Sequence, residues 1–200
     1  MEIDMTRHSG DKSLPVVECT DTRLQKYRVR TDIQPYTDEE SGEERGVTFI
    51  ETEFPYKPTL DEVKEFVYGV KNAQIDEQIL TGYQWNGKVV WLSTENQFNY
   101  FGAFVIACLA SVFGWLGKAF FDEGFSMFPV VFKLGTNEEP HYETFNTMDE
   151  LKPFCIGAFQ HVWTTLRTGW TEKAAIDFTP YELALNPVVR EEEEEETQEA

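Results

Sequence analysis

Two places in the chain bring together side chains that could do chemistry. Glu139, His141 and Glu143 stand at i, i+2 and i+4 in a stretch read as a strand, so their side chains share one face and could hold a divalent ion. A wet strand face with an imidazole between two acids accounts for the same pattern, and metal binding is not expected. Cys155 and His161 lie on one predicted helix and raise the possibility of a thiolate–imidazole pair. Six residues turn a helix through about 240°, so these two side chains diverge. A third group, Tyr83, Trp85 and Trp91, has aromatic faces that could stack on a sugar or a base, though the aromatic core of a small sheet is the better explanation. No dinucleotide fingerprint, phosphate-binding loop, nucleophile elbow or zinc-protease helix is present in the sequence. No catalytic residue, cofactor or metal is therefore expected, and no enzyme.

The aromatic group belongs to a segment with a clear local structure. Asn86-Gly87 between β-branched and aromatic residues predicts a two-residue hairpin of type I′, because both residues tolerate positive φ. That turn pairs Trp85 with Lys88, Tyr83 with Val90 and Thr81 with Leu92. Thr94-Glu95-Asn96-Gln97 then reads as a capping box that opens a helix, and the rest of the chain is expected to pack around this hairpin-to-helix unit.

The flanking elements follow from pattern and caps. Leu14 to Cys19, Lys26 to Ile33 and Val47 to Phe54 have strand character. In the second, Tyr27, Val29, Thr31 and Ile33 alternate with Arg28, Arg30 and Asp32, as on a strand with one wet face. Asp38 to Glu44 predicts a charged turn pivoting at Gly42. Thr59 and Glu62 cap a helix with an apolar stripe of Leu60, Val63, Phe66, Val67 and Val70, expected to end between Asn72 and Asp76. Phe128 to Leu134 and His141 to Phe145 form a second strand pair. A helix capped by Thr147 and Glu150 follows, with a kink or late start at Pro153 and an end at Gly169. Short helical turns are expected at Thr171 to Ile176 and from Thr179, with Pro180 near the start of the latter.

Phe101 to Gly117 carries no charge before Lys118 and is at the short limit of a membrane span. Its large residues, Phe98, Phe101, Val105, Cys108, Leu109, Val112 and Leu116, fall on one stripe. Ala103, Ala107 and Ser111 form a small-residue seam suited to close packing. A span here would also separate the hairpin from the strands that follow, so a buried helix or a subunit contact is the preferred reading, with Phe101, Val105, Leu109, Val112 and Trp115 as its contact residues.

These elements predict an α+β fold: a small antiparallel sheet with a central hairpin, covered by about three helices. The division expected is a β-rich N-terminal arm over 1–57 with little core of its own, a core domain over 58–186 and a disordered acidic tail over 187–200. The arm should pair with another chain or lie on the main domain.

Composition narrows the function. The formal charge of the 200 residues is −19, from 17 basic and 36 acidic side chains, and seven of the acids fall in the last ten positions. With no basic stripe, this charge opposes nucleic acid and anionic membranes alike. Cys19, Cys108 and Cys155 have no disulfide-framework or zinc spacing, which suits a reducing compartment. Met1 to Gly10 lacks an apolar core, so no secretory signal is expected.

With Gly82 to Tyr100, Val130 to Phe145 and Gly169 to Asp177 in view, the chain resembles an uncharacterised domain family of bacteriophage and prophage proteins encoded beside tail-fibre and tail-assembly genes. Arg30 to Lys57 and the Thr59 helix resemble an N-terminal extension found on Bacteroides-type phage members. The resemblance implies a structural or assembly role in a virion tail, with other tail or virion proteins as partners, a homo-oligomeric state, and a place in the virion or the host cytoplasm during assembly. Trp85, Asn86, Gly87 and Trp91 join the apolar helix residues as candidate structural or interaction residues. The run from Phe101 to Phe121 departs from the polar helix and short loop of the relatives. Two other readings stand beside this one: a small membrane-associated protein using residues 101–117, and a carbohydrate or cell-surface binding module using exposed tryptophans.

Overall fold

A computed structural model describes residues 3–37, 42, 44–112, 127–136 and 138–187. The fold is α+β, with every strand pair among the described residues antiparallel. The chain divides into two compact units, Met1–Lys71 with Ala175–Ala200, and Asn72–Ala174.

In the first unit, β1 (Arg7–Gly10), β2 (Val17–Asp21), β3 (Lys26–Thr37) and β4 (Glu44–Phe54) form one sheet in the order β1-β4-β3-β2. The strand runs read from the sequence are present, and β1 is an addition to them. The front segment, expected to have little core of its own, builds one together with helices that follow it. Val17, Val29, Ile50 and Phe54 of the sheet share a core with Val63, Phe66, Val67 and Val70 of α1 (Leu60–Thr81) and with Tyr181 and Leu185 of α4 (Thr179–Leu185). The apolar stripe of α1 thus supplies what the strands lack, and the boundary expected at residue 57 falls inside a compact unit. The wet face expected of β3 needs correction too. Arg30 is only 3% exposed: its guanidinium donates to Glu18 at 2.6 Å, to Glu51 at 3.2 Å and to the Pro15 carbonyl at 2.9 Å. It also lies over the Phe49 ring at 5.3 Å. A register shift between Thr31 and Gln34, with Asp32 at φ 50°, breaks the alternation and leaves Ile33 exposed.

The second unit contains the C-terminal part of α1, the hairpin strands β5 (Gln84–Trp85) and β6 (Lys88–Val89), α2 (Thr94–Val112), the pair β7 (Val130–Gly135) and β8 (Pro140–Phe145), and α3 (Met148–Ala174). Asn86 and Gly87 take φ of 49° and 75°, and Trp85 pairs with Lys88 as the turn requires. The hairpin is shorter than expected because α1 does not stop at Asp76. Ile75 and Ile79, one turn apart, are buried in this unit's core and carry the helix on to Thr81, through the residues expected to begin a strand. Thr81 therefore does not pair with Leu92. The Leu92 amide instead donates to the carbonyl of Leu80 at 3.0 Å, satisfying an end group of the helix.

The caps at Thr59 and Thr147 form where the sequence places them, although the Glu150 carboxylate reaches back to the Asn146 amide. The cap of α2 moves by one residue. Ser93 Oγ accepts from the Asn96 amide at 3.2 Å, while Thr94 is already helical. The end of α3 also moves, from Gly169 to Ala174. Gly169 is buried, and a Cβ there would stand 2.3 Å from Ile75 Cδ1, so this glycine serves close approach to α1 and not termination. The turn expected from Thr171 is the last part of α3, whereas α4 starts at Thr179 with Pro180 in its first turn.

The centre of this unit is Phe154, fully buried on α3. Its ring lies 5.0 Å from Phe145, 5.2 Å from Tyr100, 5.4 Å from Trp85 and 5.7 Å from Phe132. The hairpin is one wall of this cluster, not its middle.

Candidate functional site

Ala103 and Ala107 of the small-residue seam of α2 face inward as expected, and the Ser111 side chain lies outside the described residues. Ala107 is buried, and Ala103 and Phe104 pack on the core with Tyr100. Close packing of α2 on the core through these residues leaves Phe98, Phe101 and Leu109 turned away. Phe98 is 75% exposed, Phe101 58%, and Leu109 is exposed as well. On α3, Phe159 is 59% exposed and Trp163 51%, with their rings stacked 6.4 Å apart.

Between these helices runs a groove of about 660 Å³. Phe98, Phe101 and Phe104 line one wall, Ile156, Phe159, Trp163 and Leu166 the other, and Leu92, Tyr100, Cys155 and Val162 the floor and flanks. Thr94 and Gln97 are polar side chains along it, and Gln97 already donates to the Leu92 carbonyl at 2.7 Å. A groove lined mainly by aromatic and aliphatic side chains offers dispersion and burial to whatever enters it.

The expected contact residues fall into two groups. Trp85 and Asn86 both donate to Glu143, at 3.3 and 3.0 Å, and Trp85 packs on Phe145 and Phe154. They join the hairpin to β8. Gly87 supplies the turn, and Trp91 is half-buried with its carbonyl accepting from Asn96 at 2.8 Å. Phe101 belongs to the groove, Val105 is half-buried and Leu109 exposed further along α2. The side chain of Val112 and all of Trp115 lie outside the described residues, as do Leu116 and residues 38–41 and 43 of the charged turn. The sequence assigns Leu151, Phe154, Ala158, Val162, Trp163 and Leu166 to one side of this helix and gives no role to Ile156 or Phe159, whereas the structure leaves Trp163 51% exposed beside Phe159. The signal for Ile156 and Phe159 is the 3-4 spacing of Ile156, Phe159, Trp163 and Leu166.

The other candidates resolve into packing. Cys155 Sγ donates to the Tyr100 carbonyl at 3.6 Å, and His161 Nε2 meets the Gln78 carbonyl at 2.9 Å, so thiol and imidazole have different partners. Burial, with a contribution from Cys108, pushes the Cys155 thiol up to about 12, which leaves almost no thiolate at neutral pH. Burial also raises the phenols of Tyr83 and Tyr100 to about 12. Glu143 is engaged by the hairpin, and among the described residues no three His, Cys, Asp or Glu side chains gather to hold a metal ion. His141 Nε2 is buried without a hydrogen-bond partner among the described residues.

Among the described residues no helix is long and apolar enough to cross a membrane. The chain matches no family model, no curated protein and no solved structure.

Proposed function

We propose that this chain is a non-enzymatic interaction protein of a bacteriophage tail, structural or acting in assembly, and that it holds a protein partner in the groove between α2 and α3. The observation that carries the reading is the groove itself: Phe98, Phe101, Phe159 and Trp163 are all at least half exposed on a chain of formal charge −19. Exposed aromatic surface costs solubility unless a partner covers it, and aromatic residues dominate the energetics of protein contacts. The tail context comes from the resemblance of Gly82 to Tyr100, Val130 to Phe145 and Gly169 to Asp177. The test is peptide mass spectrometry of purified particles together with photocrosslinking from position 101 during tail assembly. Recovery in particles, or crosslinks to tail subunits from an assembly intermediate, supports the reading. A chain absent from both, with no protein adduct at position 101, would overturn it.

A carbohydrate-binding reading draws on the exposed indoles of Trp163 and Trp170. It requires a saturable change in tryptophan fluorescence with host surface glycan, lost in Trp163→Ala.

A further inference from the structure

We infer that the occupant of this groove is a second copy of the chain, so that α2 and α3 of two protomers pack as a bundle of four helices. The inference rests on the reading of the groove as a protein-binding site and names its partner.

Phe98, Phe101, Val105 and Cys108 recur along α2 at spacings of 3, 4 and 3. Ile156, Phe159, Trp163, Leu166 and Trp170 recur along α3 at 3, 4, 3 and 4. This is the 3.5-residue repeat with which helices interlock side chain into gap. Within the unit most of it is not used that way, because the core takes α2 through Tyr100, Ala103, Phe104 and Ala107 and α3 through Leu151, Phe154, Cys155 and Ala158, with Val162 and Leu166 at its edge. Each helix therefore carries an apolar seam beyond the one its own core needs. Two neighbouring helices with such seams match a surface with two seams, and the chain itself provides one.

The area is of the right size. Phe98, Phe101, Phe159 and Trp163 of the groove, and Trp170 beyond its lining on α3, are all at least half exposed, and together leave on the order of 600 Å² of aromatic surface uncovered. A stable interface removes about 800 Å² from each partner, and half-buried Val105, Ile156 and Leu166 on the same two helices add to that surface. Charge permits self-contact here. No Asp, Glu, Lys or Arg occurs from Asn96 to Val112 or from Phe154 to Leu166, so two strongly acidic chains can meet along these stretches without opposing like charges.

Charge also distinguishes a second copy from a basic partner. Two chains of charge −19 repel at long range, so added salt must tighten the dimer, whereas binding to a basic surface would weaken. Sedimentation velocity of the full chain across concentration and ionic strength is expected to show a monomer–dimer equilibrium that shifts to dimer with salt. Phe101→Glu and Trp163→Glu are each expected to weaken the dimer at least 30-fold, on the order expected for a central aromatic contact, with circular dichroism unchanged. Photoreactive benzoylphenylalanine at position 98, in a mixture of isotopically light and heavy protein, should give light–heavy adducts on α2 or α3. A wild-type monomer at high concentration and salt would overturn the inference, as would adducts confined to one chain, to residues 113–126 or elsewhere. If that monomer still crosslinks to a tail subunit through position 98, the dimer alone falls. If position 98 captures neither a second copy nor a tail subunit, the interaction reading falls with it.

Discussion

Phe154 meets aromatic rings from the hairpin, α2, β7 and β8, and no smaller side chain could reach all four. Phe154→Ala is expected to cost about 3–5 kcal/mol, since the cavity is bounded by rings fixed on separate elements and cannot collapse. Urea denaturation followed by tryptophan fluorescence measures this, and a loss below about 1 kcal/mol would show that the cluster is not organised around that ring. The buried thiol and phenols beside it make a second prediction. Cys155, Tyr83 and Tyr100 have folded pKa values raised to about 12, from ordinary values of 9 for the thiol and 10 for the phenols. The unfolded chain therefore loses these protons first, and their contribution to stability is complete below pH 9 and lost between pH 9 and 12. The denaturation midpoint should fall over that window, and Tyr83→Phe should flatten the part above pH 10. Cys155 should resist thiol reagents at pH 8 in the folded protein and react when urea is added.

Two helix ends show how elements depart from their local signals. Gly169 has the residue type of a helix stop, but Ile75 occupies the space its side chain would need and α3 continues. Gly169→Ala should destabilise by about 1–3 kcal/mol despite alanine's better helix propensity. Adding Ile75→Ala should make the Gly169→Ala change nearly neutral, a coupling that a double-mutant cycle in urea would detect. At the start of α2, Ser93 and not Thr94 accepts the backbone donor. Ser93→Ala should cost about 1 kcal/mol, while Thr94→Ala, at an exposed helical position, should change the midpoint little. The reverse order would restore the capping box read at Thr94.

At the scale of the molecule, two separate cores lie within one strongly acidic chain. Repulsion among 36 acids opposes compaction of both, so the thermal midpoint should rise between 0.01 and about 0.15 M salt as the Debye length shortens to about 8 Å. Deleting residues 191–200, which hold seven of those acids, should reduce that salt dependence. A midpoint insensitive to salt in both forms would mean that the acids are too well separated to matter.

The α+β class, the I′ turn at Asn86-Gly87, the apolar stripe of α1 and the caps at Thr59 and Thr147 were all legible in the sequence, because each depends on residues a few positions apart. The small-residue seam of α2 was legible for the same reason. What the sequence did not reveal depends on distant residues meeting. Val29 and Ile50 needed Val67 and Tyr181 to become a core. Arg30 is buried because Glu18, Glu51 and the Pro15 carbonyl converge on it. Gly169 stays helical because Ile75 arrives from 94 positions earlier. The groove is of this second kind: periodicity gives each helix two apolar seams, but only packing selects the seam that is buried and leaves Phe98, Phe101, Phe159 and Trp163 facing outward.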